Sequence, residues 1–422
     1  MSSVRLFLSV ASIKGWELHQ MDVHNAFLHG DLHEEVYMRP PQGFAAPNGK
    51  VCHLLKSLYG LCQAPRNWFA KLMSALVKFG FKQSYADYSL FSYICHNTEL
   101  HVLVYVDDLI IAGNDSSSIT RFKDYLHSCF YMKDLGILKY FLGLEIAHGK
   151  DGLFVSQRKY ALDILSEAGL LGAKPTDFPL PPNHDLANAS GPVYAHADRY
   201  RRLVGRLIYL TITRPELSYS VHILSQFMQC PTEAHWQAAI RVLHYIKSHP
   251  GQGLILSRHS SLQLTAYCDS DWAACPLTRR SLTGYFVVLG ASPVSWKTKK
   301  QPTVSRSSAE AEYRSMAAAC CELLWLKAFL LSLGYHHTSP MHLVCDSQAA
   351  LHISANPVFH ERTKHIEIDC HFVRDLIQCG CISTSYVRSQ DQLADLFTKA
   401  LDKQPFSYLL GKLGIRDLHA PT

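Results

Sequence analysis

Two apolar runs at residues 102–106 and 109–112, rich in β-branched side chains, flank a pair of adjacent aspartates. Runs of this length and composition are typical of buried strands, so the pattern predicts a β-hairpin with Asp107 and Asp108 at its tight turn. Adjacent carboxylates at the mouth of an apolar hairpin repel each other, which predicts raised pKa values and favours a bound divalent cation. A solvated Asp-Asp turn is the other interpretation that this stretch leaves open.

The segment before the hairpin is predicted to form a helix over residues 4–13 and a strand around residues 16–22, which ends on a third acid, Asp22. Three carboxylates are enough to hold two cations about 3.5–4 Å apart, the arrangement used in phosphoryl transfer. Because all these candidate ligands are hard oxygens, Mg²⁺ is the expected ion.

Another helix is predicted to begin near Pro65, which suits the first helical turn. Apolar residues recur at helical spacing along one face that is expected to be core: Trp68, Leu72, Leu76 and Phe79. Gln63 and Arg66 lie at the helix N-terminus, where backbone amides and the helix dipole favour a phosphate.

Residues 175–192 are rich in Pro, Asn and Ser, which is typical of a linker. The following residues, 199–249, show the pattern of two or three helices. Within them, residues 200–206 (Tyr-Arg-Arg-Leu-Val-Gly-Arg) combine basic and apolar positions. Such a helix can track a nucleic-acid backbone or simply present one solvated face, and the pattern favours neither.

A second α/β domain is predicted to start near residue 261. Alternation over residues 262–268 predicts a strand that leads into Asp269, and residues 341–345 predict another that leads into Asp346. Acids at the carboxyl ends of strands lie where open α/β sheets place their sites. The remaining predicted strands cover 284–290 and 294–296, and the predicted helices cover 308–333, 347–354, 364–378 and 390–401. This alternation implies a mixed sheet covered by helices.

The helix predicted over residues 308–333 gives two glutamates different roles. Its inward stripe is predicted from steps of four and three residues: Glu312, Met316, Ala319, Leu323, Leu326, Leu330 and Leu333. Glu310 lies on the opposite side and forms, with Ser307, the S-x-x-E pattern of a capping box.

A second capping-box pattern, Ser-Gln-Asp-Gln at residues 389–392, places Asp395 early in the final predicted helix. Asp269, Glu312, Asp346 and Asp395 then form a set of four acids on separate elements. Each acid alone is more often a cap or a surface charge, but together on strand ends and a buried helix face they favour a metal site.

Composition narrows the class of protein. A chain of 422 residues with 48% hydrophobic and 18% charged residues indicates an ordinary globular protein of two or three domains. No signal peptide opens the chain, and its apolar stretches look too short to span a membrane, so an intracellular location, cytoplasmic or nuclear, and no membrane partner are expected. Thirteen cysteines without framework spacing indicate free thiols, and the net charge of +6 permits nucleic-acid binding.

A zinc site is not expected at Cys379 and Cys381. There is no C-x-x-C, and a spacing of six residues puts His365 and His371 on different faces of a helix.

Four stretches resemble successive reverse transcriptase motifs of copia-type LTR retrotransposons in order and spacing: MDVHNAFLHGDLHEEVYM, KSLYGLCQAPRNWF, VYVDDLIIAG and KYFLGLEI. The resemblance implies that Asp22, Asp107 and Asp108 are the polymerase metal ligands. It also implies that Phe27 is the steric-gate aromatic that excludes a ribonucleotide 2′-hydroxyl, although a core aromatic is the simpler interpretation of Phe27 alone.

The same resemblance suggests further contacts. It places Gln63 against the incoming nucleotide and template, matches Lys133 to a lysine of the next motif, and matches residues 140–146 to the primer-gripping hairpin. The family has a basic fingers segment before the point where this sequence enters the alignment, so the palm is expected to be whole and the fingers incomplete.

The C-terminal stretches YCDSDWA, SSAEAEY, LVCDSQAAL and QLADLFTKAL resemble a copia-type ribonuclease H domain. This resemblance makes the four acids Asp269, Glu312, Asp346 and Asp395 its metal ligands. The histidine-bearing loop that precedes the last acid in cellular ribonucleases H is absent, since the segment at residues 386–390 is too short to form it. His365 is a candidate to take its place.

The resemblance therefore implies an α/β (α+β) fold with a polymerase palm, incomplete fingers, a helical thumb or connection, and a ribonuclease H-like domain. The predicted boundaries are 1–175 for the palm, 176–260 for the linker and thumb, 261–405 for the nuclease and 406–422 for a C-terminal tail. The implied activity is RNA-directed DNA synthesis with cleavage of RNA in RNA–DNA hybrids.

The implied partners are an RNA template, a DNA primer, an RNA–DNA hybrid and deoxynucleoside triphosphates, with two Mg²⁺ ions, or Mn²⁺, at each site. Two alternatives follow from the missing fingers segment. One is a domesticated or degenerate remnant that binds nucleic acid, and the other is a chain that retains only hybrid-nuclease activity.

Overall fold

The computed structural model describes residues 1–44, 47, 49–356 and 366–418. The helices are α1 (Ser2–Lys14), α2 (Ala64–Phe79), α3 (Ser116–Cys129), α4 (Arg158–Glu167), α5 (Ala197–Leu210), α6 (Ser218–Ser225), α7 (Glu233–Ser248), α8 (Ser308–Ser332), α9 (Gln348–Ala355), α10 (Glu367–Gln378) and α11 (Lys403–Lys412). Short 3-10 helices cover Ala26–His29, Pro215–Leu217, Ser389–Asp391 and Leu393–Phe397.

The strands are β1 (Glu17–Val23), β2 (Tyr37–Met38), β3 (Cys52–His53), β4 (Lys82–Gln83), β5 (Leu90–Cys95), β6 (Thr98–Tyr105), β7 (Asp108–Gly113), β8 (Met132–Ile137), β9 (Tyr140–Phe141), β10 (Leu144–Gly149), β11 (Gly152–Ser156), β12 (Gln252–Ser257), β13 (Leu264–Asp271), β14 (Leu282–Leu289), β15 (Ser292–Lys300), β16 (Met341–Cys345), β17 (Ile382–Tyr386) and β18 (Ile415–Asp417).

The chain forms two compact units. One comprises Lys14–Lys139 with Phe329–Tyr335 and is called the hairpin unit below. The other comprises Met1–Ile13, Tyr140–Ala328 and His336–Thr422 and is called the two-sheet unit. The four functional segments predicted from the sequence divide the chain differently and remain a prediction.

The hairpin unit is built on an antiparallel sheet in the order β4-β5-β6-β7-β1-β8. Its core includes apolar side chains from the central strands and from one face of each of the helices α2 and α3. Trp68, Leu72 and Leu76 of α2 are buried there, which confirms the predicted helix face. The predicted hairpin is also confirmed as β6 and β7. It differs from the prediction in one detail, because Asp107 is in the turn whereas Asp108 is already the first residue of β7.

The first sheet of the two-sheet unit is antiparallel, in the order β18-β12-β11-β10-β9. Its edge strand β18 pairs with β12, with Ile415 opposite Leu254. Helix α11 and strand β18 together occupy most of residues 403–417, and α11 buries Phe406 and Leu409. The sequence predicted a C-terminal tail at residues 406–422. Residues 406–418, the part that the structure describes, are instead folded, because their apolar side chains complete a sheet and a helix face.

The basic helix predicted within residues 199–249 is α5. Three of its four arginines are paired with acids, Arg206 and Arg202 with Glu167 and Arg201 with Asp198. These ion pairs favour the interpretation of a solvated helix face over that of a free basic track.

The second sheet of the two-sheet unit is mixed, in the order β15-β14-β13-β16-β17. Strands β13 and β16 pair in parallel, as do β16 and β17, whereas β13, β14 and β15 are antiparallel. The structure confirms the predicted mixed α/β class and the strands that lead into the two acids. Strand β17 was not predicted from the sequence.

The prediction of a helix over residues 390–401 is wrong. The chain forms two short 3-10 helices there, and Gln392 between them is extended, with φ −73° and ψ 103°. The Gln392 side chain accepts a hydrogen bond from the backbone of Ala394 and donates one to the Cys268 carbonyl at 2.9 Å. One local bond and one bond to the distant Cys268 backbone replace the α-helical pattern.

Helix α8 is the one described element whose length and composition would allow it to cross a membrane, with a mean hydropathy of 1.4 over its most apolar window. The expectation that no apolar stretch reaches spanning length is therefore wrong for this helix. Half of that window is buried inside the protein. The composition reflects a core helix, whose inward stripe is buried as predicted from Glu312 to Leu333.

Candidate functional site

The first candidate site, called the hairpin cluster, consists of Asp22, Asp107 and Asp108. Asp22 on β1 lies directly opposite Asp108 on β7, so their side chains share one face of the sheet. Asp107 is brought next to them by a tight turn in which Val106 has a positive φ of 53°. The Val106 carbonyl accepts a hydrogen bond from the indole of Trp68 at 2.8 Å, which anchors the turn to α2.

Hydrogen bonds hold two of these carboxylates in place. The Tyr59 hydroxyl donates to Asp107 Oδ2 at 2.9 Å, and the Gln20 amide donates to Asp108 Oδ1 at 3.2 Å. The pKa values of Asp107 and Asp108 are both raised, as the sequence predicted. The larger cause is burial, however, and the charge of Asp22 adds to it; repulsion between the adjacent aspartates is the smallest contribution to Asp108.

The other residues predicted for this site are Phe27, Lys133, Gln63 and Arg66, and their contacts differ. The ring of Phe27 is 4.4 Å from that of Tyr59, the residue that contacts Asp107, and Phe27 is only partly buried. Lys133 on β8 lies directly opposite Asp22 and is exposed. Gln63 precedes α2 and donates to Glu34 at 2.9 Å.

Arg66 is exposed in the first turn of α2, as its predicted role at the helix N-terminus requires. The hairpin unit thus brings the three acids and Lys133 to one region of its sheet, and Phe27 contacts Tyr59, which donates to Asp107. Gln63 is engaged with a carboxylate instead of being free for a ligand.

The second candidate site, called the sheet-end cluster, consists of Asp269, Glu312, Asp346 and Asp395. Asp269 is near the end of β13, and Asp346 directly follows the parallel neighbour β16. Glu312 is in the first turns of α8, and Asp395 is in the 3-10 helix Leu393–Phe397. Carboxylate oxygens of Asp269, Asp346 and Asp395 lie within 4.8 Å of one another, and the same holds for ligand atoms of Glu312, Cys345 and Asp346.

Gly284 on β14 allows the 3-10 helix to reach this position. Gly284 lies opposite Asp269, and a Cβ at this residue would come within 2.6 Å of Thr398 Cγ2 and 2.9 Å of Phe397 Cβ. Only a glycine lets the segment that carries Asp395 pack so closely against the sheet.

Burial governs the electrostatics of the sheet-end cluster. Burial, with a smaller contribution from neighbouring carboxylates, raises the pKa of Glu312 to about 10 and that of Asp395 to about 7. The pKa of Asp269 is also raised by burial, against the opposing effects of Lys399 and Thr398. A site in which several carboxylic acids resist ionisation is one that a divalent cation would stabilise.

Glu310 differs from Glu312, as predicted. Its backbone N–H donates to Ser307 Oγ at 3.2 Å, which is the first half of a capping box. Its carboxylate accepts from the backbone N–H of Arg306 at 2.7 Å, one residue earlier than the pattern predicts. Glu310 is therefore a helix-start residue, although it is buried rather than solvated.

The second capping-box prediction is wrong. Ser389 does not cap a helix; its hydroxyl donates to Asp346 Oδ2 at 2.9 Å. Ser389 therefore orients one of the predicted metal ligands. The candidate loop substitute His365 lies outside the described residues.

Both clusters fit a divalent cation that prefers oxygen ligands. Asp107 Oδ1 and Asp346 Oδ1 are buried oxygens without a hydrogen-bond partner, one in each cluster. A buried carboxylate oxygen without a donor is costly unless a cation satisfies it. The donor set would therefore suit Mg²⁺ at either cluster.

Four residues near these acids were not singled out from the sequence: Gln20, Tyr59, Thr398 and Lys399. Thr398 donates its hydroxyl to Asp269, and Lys399 Nζ lies 2.9 Å from Asp395 Oδ1. The spacing of four residues between Asp395 and Lys399 was a signal available in the sequence. The contacts of Gln20 and Tyr59 depend on chain segments that only the fold brings together.

Comparison with known proteins identifies a matching family and two relatives. Residues 1–182 match the family described as "Reverse transcriptase (RNA-dependent DNA polymerase)". Over 98% of its length the chain is 44% identical to the retrovirus-related Pol polyprotein from transposon RE1 of Arabidopsis thaliana, of which it spans only 28%. It is 32% identical to a putative transposon Ty5-1 protein of Saccharomyces cerevisiae, over 72% of this chain and 100% of that protein.

Among solved structures, the foamy viral protease-reverse transcriptase dRH in complex with double-stranded DNA aligns with a TM-score of 0.53. The alignment covers 88% of this chain and 57% of that chain, at 12% identity. At this identity the likeness concerns the fold alone.

Proposed function

The chain belongs to the reverse transcriptase family of transposon Pol polyproteins, and from this premise we propose that it carries two metal-dependent sites, one that adds nucleotides to a primer and one that cleaves RNA in RNA–DNA hybrids. Two separate groups of acids support this most directly, and each has a buried oxygen that lacks a donor. In the hairpin cluster, Asp22 pairs with Asp108 across β1 and β7, and in the sheet-end cluster, carboxylate oxygens lie within 4.8 Å of one another.

We assign nucleotide addition to the hairpin cluster. Asp22, Asp107 and Asp108 are the proposed ligands, and Tyr59 and Gln20 fix the orientation of two of them through hydrogen bonds. Orientation matters because a ligand that must be reorganised when the metal binds costs affinity. Phe27, whose ring lies against that of Tyr59, is the proposed barrier to a 2′-hydroxyl.

Lys133, Gln63 and Arg66 are proposed contacts of the nucleotide or template. Lys133 and Arg66 are exposed cations on the same unit as the three acids. For Gln63, this role requires that its hydrogen bond to Glu34 be released when substrate binds.

We assign hybrid cleavage to the sheet-end cluster, with Asp269, Glu312, Asp346 and Asp395 as ligands. Thr398 holds Asp269, and Ser389 holds Asp346, so each of these two carboxylates keeps one oxygen fixed by a hydroxyl donor. Mg²⁺ bound to such carboxylates would lower the pKa of water and stabilise charge that develops on a phosphodiester.

The proposed partners are an RNA template, a DNA primer, RNA–DNA hybrids and deoxynucleoside triphosphates. The formal charge of +6 is compatible with a nucleic-acid partner. Two narrower functions are outcomes of the experiment below: nucleic-acid binding without catalysis, and hybrid cleavage alone.

The test is a pair of assays on the purified chain, primer extension on an RNA template and cleavage of a labelled RNA–DNA hybrid. Asp107→Asn is expected to abolish extension and leave cleavage intact, since each lost ligand weakens one metal site only. Glu312→Gln is expected to do the reverse. Each variant is thus the control for the other.

Normal extension by Asp107→Asn would show that the hairpin cluster is not the polymerase site. If the unmodified chain cleaves the hybrid but does not extend the primer, hybrid cleavage is its only activity of the two. Binding of the hybrid without either activity would identify a non-catalytic remnant.

A further inference from the structure

Lys399 lies inside the sheet-end cluster. Its Nζ is 2.9 Å from Asp395 Oδ1 and 3.4 Å from Asp269 Oδ1. Within the part of the chain that the structure describes, both ion pairs of this cluster are made by Lys399. The neighbouring Thr398 donates its hydroxyl to the other oxygen of Asp269.

With these contacts, the ammonium group of Lys399 offsets the negative charges of Asp269 and Asp395. Asp269 is 1% exposed and Asp395 is 8% exposed, so water does little to offset the repulsion between their charges. A lysine side chain is cationic near neutral pH, so each of these two contacts pairs opposite charges. The two carboxylates would repel each other if the lysine were neutral or absent.

The same two carboxylates belong to the group, with Asp346, that has oxygens within 4.8 Å of one another and could hold a metal ion. An oxygen that accepts a short bond from an ammonium group cannot at the same time give its full charge to a divalent cation. Occupation of the cluster by a divalent ion and retention of both lysine contacts are therefore in competition.

We propose that Lys399 is a positioning residue that holds Asp269 and Asp395 together in the metal-free chain and competes with the divalent cation for their oxygens. This inference rests on the metal site of the proposed function. It deepens that function by adding an internal cation that the bound ion must displace.

The side chain of Lys399 is able to make this exchange. It is 39% exposed, so Nζ has a route to solvent that needs no rearrangement of the buried acids. Lysine is also a compact charge on a flexible four-carbon stem, unlike the rigid fork of arginine. One cation replaces another, and the cluster is never left with uncompensated charge.

Calorimetric titration with Mg²⁺ and with Mn²⁺, in the absence of nucleic acid, measures the competition directly. Lys399→Met removes the charge and keeps the stem. We expect its dissociation constant for Mg²⁺ to fall about tenfold, the effect of losing one competing charge-assisted contact. Its melting temperature in EDTA should be lower than that of the unmodified chain, because the acids lose their counter-cation.

Two further variants control the experiment. Lys399→Arg keeps the charge, so its Mg²⁺ affinity should not exceed that of the unmodified chain and its melting temperature in EDTA should be largely restored. Lys403→Met breaks an exposed ion pair with Asp177, 2.8 Å long, and should change neither quantity.

The outcomes separate this inference from the proposed function. If the unmodified chain takes up no Mg²⁺, the metal site itself is refuted, and the inference with it. If the unmodified chain binds Mg²⁺ and Lys399→Met binds it equally or more weakly, the site stands and the competition is refuted. Lys399→Gln, for which the same increase in affinity is expected, serves if the methionine variant fails to fold.

Discussion

Replacing Glu312 by Gln in the metal-free protein tests the electrostatic account of the sheet-end cluster. Glu312 is 7% exposed, and Asp269, Cys345 and Asp346 face it. Burial and these neighbours raise its pKa to about 10. Gln has nearly the shape of the protonated acid, so the substitution removes the ionisation and leaves the packing in place.

The sign of the effect follows from proton linkage. An acid with a raised pKa in the folded state binds more protons when folded than when unfolded, so its contribution destabilises the fold progressively as the pH rises. The penalty is absent below the ordinary glutamate pKa of 4.5 and grows until the folded pKa of about 10. The Glu312→Gln variant does not pay this penalty, because its side chain does not ionise.

The magnitude comes from the linkage slope, about 1.4 kcal/mol per pH unit for one group. As an upper limit, Glu312→Gln should stabilise the metal-free chain by about 2 kcal/mol near pH 6 and by about 5 kcal/mol near pH 8. In Mg²⁺ the advantage should shrink or reverse, because the unmodified site gains the energy of binding the ion and the variant does not.

Thermal melts in EDTA across this pH range, followed by melts in Mg²⁺, measure both effects. Glu310→Gln is the matched control from the same helix. The Glu310 carboxylate only accepts the Arg306 N–H, which a Gln side-chain oxygen also does, so its melting temperature should follow that of the unmodified chain at every pH. A melting difference for Glu312→Gln that does not grow with pH would refute the reasoning, and so would the same growth in Glu310→Gln.

Two other predictions concern single contacts. Phe27→Val should raise ribonucleotide incorporation relative to deoxyribonucleotide incorporation in primer extension, because a smaller side chain leaves room for the 2′-hydroxyl; an unchanged ratio would return Phe27 to a packing role. Gly284→Ala should abolish hybrid cleavage, spare extension and cost about 1–3 kcal/mol through overpacking against Thr398 and Phe397. Gly205→Ala is its control, since an added Cβ there meets nothing within 4 Å, and equal losses of cleavage in both variants would contradict the prediction.

Local patterns in the sequence were sufficient for much of the fold. The hairpin β6–β7 follows from two apolar runs around a polar pair, and the inward stripe of α8 follows from steps of three and four residues. Both patterns are local because the side-chain period of a strand or a helix acts within a few residues. From these patterns the sequence predicted that Asp107 and Asp108 lie at the hairpin turn and that Glu312 points inward.

The sequence was a poorer guide at residues 389–401. A capping-box pattern predicted an α-helix there, yet Gln392 bonds to the Cys268 carbonyl and Ser389 bonds to Asp346. These partners are 124 and 43 residues away along the chain. A local pattern holds no information about such partners, and here they prevailed over helix propensity.

Tertiary structure decided which charges from distant segments meet. The acid order along the chain suggested a metal site, but the close approach of Asp395 to Asp269 depends on the missing side chain of Gly284 and on the 3-10 geometry around it. That approach also brings Lys399 between the two acids. The period of a helix or strand orients a residue within its own element, whereas only packing between distant elements determines which oppositely charged groups share a buried space.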